Sequence, residues 1–208
     1  THEVRKAGVE IVTGQVADAA LLRAQAPDTV ILATGARSRM PDLPGGTEGA
    51  QTVDAWQVIQ GQANLGGSVV VYDWRCDWVG LGVAEMLARE GRRVRLAVLS
   101  YMPGEAIQQY VRDPWLGALH KLGVEIVPLV RLIGADADSV YLQHVMSDQP
   151  VILEGVDSLV TSLAREADMT LEEELHGFAG EVIPIGDCLS PRTAEEAVIE
   201  GLRAAWSL

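Results

Sequence analysis

Short apolar runs alternate with amphipathic stretches along this chain, the rhythm of an α/β protein. Ser68-Val69-Val70-Val71-Tyr72 is apolar on both faces and reads as a buried parallel strand. Val79 to Glu90 carries apolar residues at helical spacing and stops at Gly91, and Val94 to Leu99 is apolar again. Together these form a βαβ unit of about 30 residues. Farther on, Ala106 to Leu122 predicts a helix broken near Pro114 and ended by Gly123, followed by a strand at Val124–Val127. Val130–Ile133, Ser139–Met146 and Val151–Leu153 predict a small antiparallel meander, and Ser158–Val160 a buried strand. Thr170-Leu171-Glu172-Glu173 fits a capping box opening a helix to His176.

The outer parts of the chain follow the same grammar. Residues up to Gly8 read as the tail of a helix with Gly8 as its stop, and Val9–Val12 as a strand. Ala19–Gln25 is short and Ala-rich, and Thr29–Ala33 predicts a strand. Pro41, Pro44, Gly45, Gly46 and Gly49 mark a linker, with a helix expected over Val53–Gln60. At the far end Val182–Ile185 predicts a strand. Thr193 and Glu196 form a capping box ahead of a helix carrying Ala197, Val198, Gly201, Leu202 and Ala205. The layout predicts one domain interrupted by another, residues 1–52 with 180–208 around an insert of 53–179. The chain lacks an initiator Met and opens on a helix stub, so it reads as a piece of a longer protein.

Two of the predicted strands end in turns that bear on chemistry. The strand 182–185 delivers Asp187 to a sheet edge beside the positive end of a helix. A ligand with hydroxyls and partial negative charge, such as a flavin with its ribityl chain, suits that geometry. An ordinary strand–loop–helix connection with a Gly-Asp turn gives the same pattern. The strand at 29–33 ends in Ala33-Thr34-Gly35-Ala36, followed by Pro41-Asp42-Leu43-Pro44-Gly45. Ala-Thr-Gly-Ala with Pro-x-x-Pro-Gly, and a distant Ile185-Gly186-Asp187-Cys188 followed by Pro191-Arg192, resembles the two-dinucleotide-domain flavoproteins. Within them the chain is most similar to the C-terminal region of the trimethylamine dehydrogenase and 2,4-dienoyl-CoA reductase family, over nearly its whole length.

The resemblance implies an α/β fold of two nested Rossmann-like three-layer domains, the second inserted in the first. Residues 1–52 and 180–208 would be a partial FAD- or ADP-binding domain, its first βαβ unit upstream of Thr1. Residues 53–179 would be a domain of the NAD(P)-binding type. Ala33, Thr34, Gly35 and Ala36 would line the first nucleotide, with Gly186 and Asp187 in contact with it. A preceding barrel of the same protein would carry FMN and a 4Fe–4S cluster, and no catalytic residue would lie in this chain. The implied whole is a flavin-dependent oxidoreductase, an amine dehydrogenase or demethylase or an enoate reductase, to which this region gives electron-transfer or structural support. The alternative is a non-catalytic Rossmann-like scaffold without nucleotide.

The inserted domain departs from the dinucleotide-binding pattern. Its first strand should run into G-x-G-x-x-G, whose glycines let backbone approach a pyrophosphate at a helix N-terminus. Here the loop is Asp73-Trp74-Arg75-Cys76-Asp77-Trp78-Val79-Gly80, and only Gly80 keeps a fingerprint position. Asp73 and Asp77 bring negative charge toward the phosphate site. The next strand ends at Ser100 without the acidic residue that would hold a ribose, and Thr161-Ser162-Leu163-Ala164 lacks the glycine of a second Ala-Thr-Gly turn. The degenerate loop matches the trimethylamine dehydrogenase branch. Trp74 and Trp78 would plug a vestigial pocket, or leave a small aromatic pocket in which Arg75 reads an anion.

Composition narrows the rest. Among 208 residues 48% are hydrophobic and the net charge is −13, without a Lys/Arg cluster, which argues against nucleic acid. No apolar run approaches the ~18 residues of a membrane span. Cys76 and Cys188 share no metal-ligand spacing, and sparse cysteine fits the cytoplasm. His2, His120, His144 and His176 lack partners at useful spacing, and the sequence leaves a homo-oligomer open.

Overall fold

A computed structural model describes residues 2–43 and 51–208. Pro44, Gly45, Gly46 and Gly49 of the expected linker, and Thr1, lie outside the described residues. In chain order the elements are α1 (His2–Lys6), α2 (Ala19–Gln25), β1 (Thr29–Leu32), β2 (Ala36–Ser38), β3 (Gln51–Asp54), α3 (Ala55–Ile59), β4 (Ser68–Asp73), α4 (Trp78–Arg89), β5 (Arg93–Val98), α5 (Gln109–Lys121), β6 (Glu125–Val127), β7 (Val130–Ala135), β8 (Ser139–His144), β9 (Pro150–Glu154), β10 (Ser158–Ser162), β11 (Arg165–Ala167), α6 (Thr170–Glu174), β12 (Glu181–Pro184) and α7 (Ala194–Ser207). The chain divides into two compact units, residues 1–37 with 166–208, and residues 38–165.

The second unit is a Rossmann-like three-layer fold. Its sheet runs β3-β10-β4-β5-β6, with every pairing parallel. Parallel strands are buried on both faces, which is why β4, β5 and β10 read as unbroken apolar runs. Val69, Val71, Leu96 and Val98 pack on one face against Leu81, Ala84 and Leu87 of α4 and Leu119 of α5. Val70, Tyr72, Ala97 and Leu159 pack on the other against Val130, Val140, Leu142 and Leu153 of the antiparallel meander β7-β8-β9. Each fully buried Val or Leu contributes about 1.5–3 kcal/mol of transfer free energy.

In the first unit β1 and β12 pair in parallel, Val30 beside Val182 and Leu32 beside Pro184. Val30, Leu32, Leu175 and Cys188 form its small core, with Leu22, Leu171 and Phe178 packed around them. The opposite face of β1 is partly open: Ile31 is 38% exposed. On α7, Val198, Leu202 and Trp206 recur every fourth residue, and all three are exposed, Trp206 by 77%. α7 itself opens on the expected capping box between Thr193 and Glu196.

Several elements differ from the sequence expectation. Val9–Val12 forms no strand and lies exposed; a strand persists only by pairing, and among the described residues nothing pairs with this segment. The expected helix 53–60 begins two residues later. Val53 and Asp54 belong to β3, which pairs with β10, and Asp54 caps α3 in a capping box with Gln57. α5 runs through Pro114 without a break. The proline removes one bond in the helical ladder, to the carbonyl of Tyr110, and Tyr110 is exposed, so water can satisfy that group. Thr170 is the first residue of α6 and not its cap; the cap is Met169, without a side-chain bond, and the helix ends at Glu174. Arg37 draws the Thr170 hydroxyl away at 3.2 Å.

One helix-to-strand contact tests this packing. A Cβ on Gly80 of α4 would stand 2.1 Å from Cγ of Asp73, whereas one on Gly82 would meet Trp115 at an ordinary 3.9 Å. Gly80→Ala is expected to destabilise the chain by roughly 1–3 kcal/mol. Gly82→Ala should stabilise it by roughly 0.5–1 kcal/mol through helix propensity. Urea denaturation of both variants measures the pair. Equal and same-signed effects would mean that the α4–β4 approach is looser than described.

Candidate functional site

Two strand edges carry the candidate chemistry, one in each unit. In the first unit β1 and β12 end side by side, and the Ile185 N–H donates to the Leu32 carbonyl at 2.9 Å. Beyond this bond both strands turn on glycines in the left-handed region, Gly35 at φ +83° and Gly186 at φ +65°. A Cβ on Gly35 would meet nothing within 4 Å. Ala33 and Thr34 are exposed and Gly35 and Ala36 half-buried. The Thr34 hydroxyl donates to the Asp168 carbonyl at 2.9 Å, and the Asp168 N–H returns a bond to the Gly35 carbonyl. The turn is therefore fastened to the strand segment behind it.

Gly186 is buried and opens a 3₁₀ turn ending at Cys188. Its N–H donates to Oε2 of Glu200, on α7, at 2.7 Å, while Oε1 of Glu200 pairs with Arg192. Asp187 is half-buried and accepts the Arg192 N–H at 3.2 Å. Cys188 is buried, with its thiol against the carbonyls of Leu32 and Ile185. All six sequence-derived positions, Ala33 to Ala36 with Gly186 and Asp187, thus stand at the carboxyl ends of two adjacent parallel strands. Glu200 completes this edge and was not foreseen from sequence, where it reads as one more acid on a helix face.

In the second unit the fingerprint position is occupied by the chain itself. Asp73 ends β4 with no exposed surface. Its Oδ1 accepts the Cys76 N–H at 3.0 Å, while its Oδ2 is buried without a hydrogen-bond partner. Burial pushes its carboxyl up to about 7, and the Asp77 carboxylate adds to the rise; the backbone N–H groups of Cys76 and Arg75 and the Ser162 hydroxyl pull the other way. Asp77 caps α4 by accepting the Val79 N–H, and pairs with Arg75 at 2.5 Å. The helix end that would meet a phosphate is met by a carboxylate of the chain.

The neighbouring expectations resolve unevenly. Arg75 lines the crevice and donates from Nε to Asp77 at 2.5 Å. Trp78 turns along α4 toward Trp115, their ring centroids 5.7 Å apart. Trp74 stays at the strand edge, 46% exposed, and borders two cavities of about 410 and 530 Å³. Ser100 donates to the Met102 carbonyl at 2.7 Å. Ser162, where a glycine turn was missing, accepts the Trp74 N–H at its carbonyl.

No family model matches the chain. It is 29% identical, over 97% of its length, to a probable N-methylproline demethylase of Rhizobium meliloti (strain 1021), of which it covers 34%. It is 28% identical, over 99% of its length, to a bilirubin reductase of Mediterraneibacter gnavus, of which it covers 31%. Its fold matches histamine dehydrogenase from Rhizobium sp. 4-9 with a TM-score of 0.86 at 20% identity, covering 93% of this chain and 32% of that one. The chain spans about a third of the length of the curated relatives it matches.

The buried carboxyl of Asp73 gives a pH signature. A raised folded-state value means that the folded chain holds a proton which the unfolded chain releases above its ordinary value of 3.8. Stability is therefore lost as pH rises from about 4 to about 7, and levels off once the folded state ionises as well. Asp73→Asn keeps the acceptor for the Cys76 N–H and does not titrate. Its stability relative to wild type should rise by roughly 2–4 kcal/mol between pH 4 and pH 8. Denaturation curves across that window measure the difference, and a pH-independent difference would show that Asp73 is ionised throughout.

Proposed function

From its homology to flavin-dependent oxidoreductases of the trimethylamine dehydrogenase type, we propose that this chain is the nucleotide-binding region of such an enzyme. The observation that carries the reading is the pair of glycine turns held side by side by the Ile185–Leu32 bond. Ligands of open α/β sheets bind beyond the carboxyl ends of the strands, where this pair stands. Backbone at Gly35 is open to a close approach, and no side chain of the turn stands in the way.

At this edge Asp187 is a half-buried carboxylate, while the Gly186 N–H is already given to Glu200, whose other oxygen pairs with Arg192. Such a set suits ligand hydroxyls and not phosphate oxygens, which need donors. We therefore assign Gly186 and Asp187 to the ribityl chain of FAD and Ala33, Thr34, Gly35 and Ala36 to the lining beside it. The pyrophosphate would be met by a glycine loop belonging to the preceding part of the parent protein. FAD, when bound, supplies hydride or single-electron transfer; the residues of this chain bind and orient it. The parent's barrel, with FMN and an iron–sulfur cluster, and its amine or enoyl substrate follow from the family reading. The second unit, with its helix end closed by Asp77, acts as support without nucleotide.

The test is a titration of FAD and of ADP against the parent protein and its Asp187→Ala variant. A hydrogen bond to a carboxylate contributes roughly 1.5–3 kcal/mol, so FAD should weaken by about one to two orders of magnitude. ADP has no ribityl chain and should change little. Loss of ADP affinity with unchanged FAD affinity would assign Asp187 to the wrong part of the ligand. Failure of both ligands to bind the parent would favour a scaffold without nucleotide.

A further inference from the structure

We propose that the crevice beyond the carboxyl ends of β4 and β5 binds a planar aromatic cation. The cavity of about 530 Å³ lies within the second unit alone, at the strand edge where parallel sheets receive ligands. Its size falls in the usual range of small-molecule sites.

Three observations fix the class of ligand. The first is shape. Trp74 borders both this cavity and the one of about 410 Å³ beside Tyr72, so a flat ring stands between the two. The second is the wall. Trp74 and Tyr101 are both exposed and both line the crevice, as do the apolar Leu129 and Met146. A lining with aromatic rings and an adaptable thioether accepts a flat ring, and the negative faces of the rings favour a positive one.

The third is charge. Among the lining residues Arg75 is the one cation, and its guanidinium is bonded to Asp77 at 2.5 Å. Glu105, an exposed carboxylate, lines the same crevice. The end of α4 is capped by Asp77, so its positive dipole is already answered. An anionic ligand would meet the Glu105 carboxylate, while the charge of Arg75 is already answered by Asp77. A cation would meet Glu105 and the ring faces. This assignment does not rest on the flavin site of the first unit.

The measurement is isothermal calorimetry on the full chain with two probes of one ring system and opposite charge, N-methylquinolinium and quinoline-2-carboxylate. The cation should bind at least about tenfold more tightly than the anion. Trp74→Ala, which removes an exposed ring, should weaken the cation by about tenfold. Asp77→Ser keeps a capping hydroxyl for the Val79 N–H but releases Arg75, and should narrow the preference for the cation by about fivefold or more. Thermal melts establish that each variant is folded. Equal or tighter binding of the carboxylate by the wild-type chain, binding of neither probe at millimolar concentration, or a folded Trp74→Ala variant with unchanged affinity would each overturn the proposal. The wild-type comparison decides the matter if a variant does not fold.

Discussion

The approach of the Asp73 carboxyl to the Cα of Gly80 governs the whole carboxyl edge of the five-stranded sheet. A side chain at position 80 would collide with the carboxyl, so glycine there lets α4 lie close on β4. The carboxyl takes the Cys76 N–H and thereby sets the loop that follows. That loop in turn brings Asp77 to the cap of α4 and Arg75 to Asp77. A buried acid with one satisfied oxygen is costly when ionised, and the chain holds it near the neutral form. The result is a helix start whose field is answered from within the chain, in the place where related folds leave it for a phosphate.

The edge of β1 and β12 solves a different problem with the same materials. Its glycines keep left-handed conformations, the backbone at Gly35 is open, and Asp187 is half-buried beside Gly186. Thr34 and Gly35 are tied to Asp168, which Arg37 holds with a bidentate pair. The turn is thereby presented as a fixed surface. One edge has turned its acids inward and closed, while the other displays acceptors.

The buried strands were legible because parallel pairing leaves an unbroken apolar run, as in Val69-Val70-Val71 and Leu159-Val160. Caps at Thr193 and the stop at Gly91 were legible because they rest on local geometry. Val9–Val12 misled because apolarity says nothing of whether a pairing partner exists. Thr170 misled because its hydroxyl answers to Arg37, far away in sequence. At the sites, the glycine turns and Asp187 could be read as motifs, and the loss of the fingerprint at 73–80 was plain. The burial of Asp73, the pairing of Arg75 and the part of Glu200 could not be read, since each depends on what the folded backbone brings alongside. Trp78 illustrates the same limit: its ring is claimed by Trp115, thirty-seven residues on by the numbering.

The partly exposed Ile31 and the stripe Val198, Leu202, Trp206 on α7 have a colloidal consequence. Contiguous apolar surface attracts its own kind, and a chain of 208 residues with a net charge of −13 resists that attraction by repulsion between whole molecules. The repulsion reaches only as far as the Debye length, about 10 Å at 0.1 M salt and about 3 Å at 1 M. The attraction between apolar faces has no such dependence, and salting-out anions strengthen it. Solutions of this chain are therefore kept dispersed by their ionic conditions as much as by their fold, and concentrated sulfate is the medium in which these faces find one another.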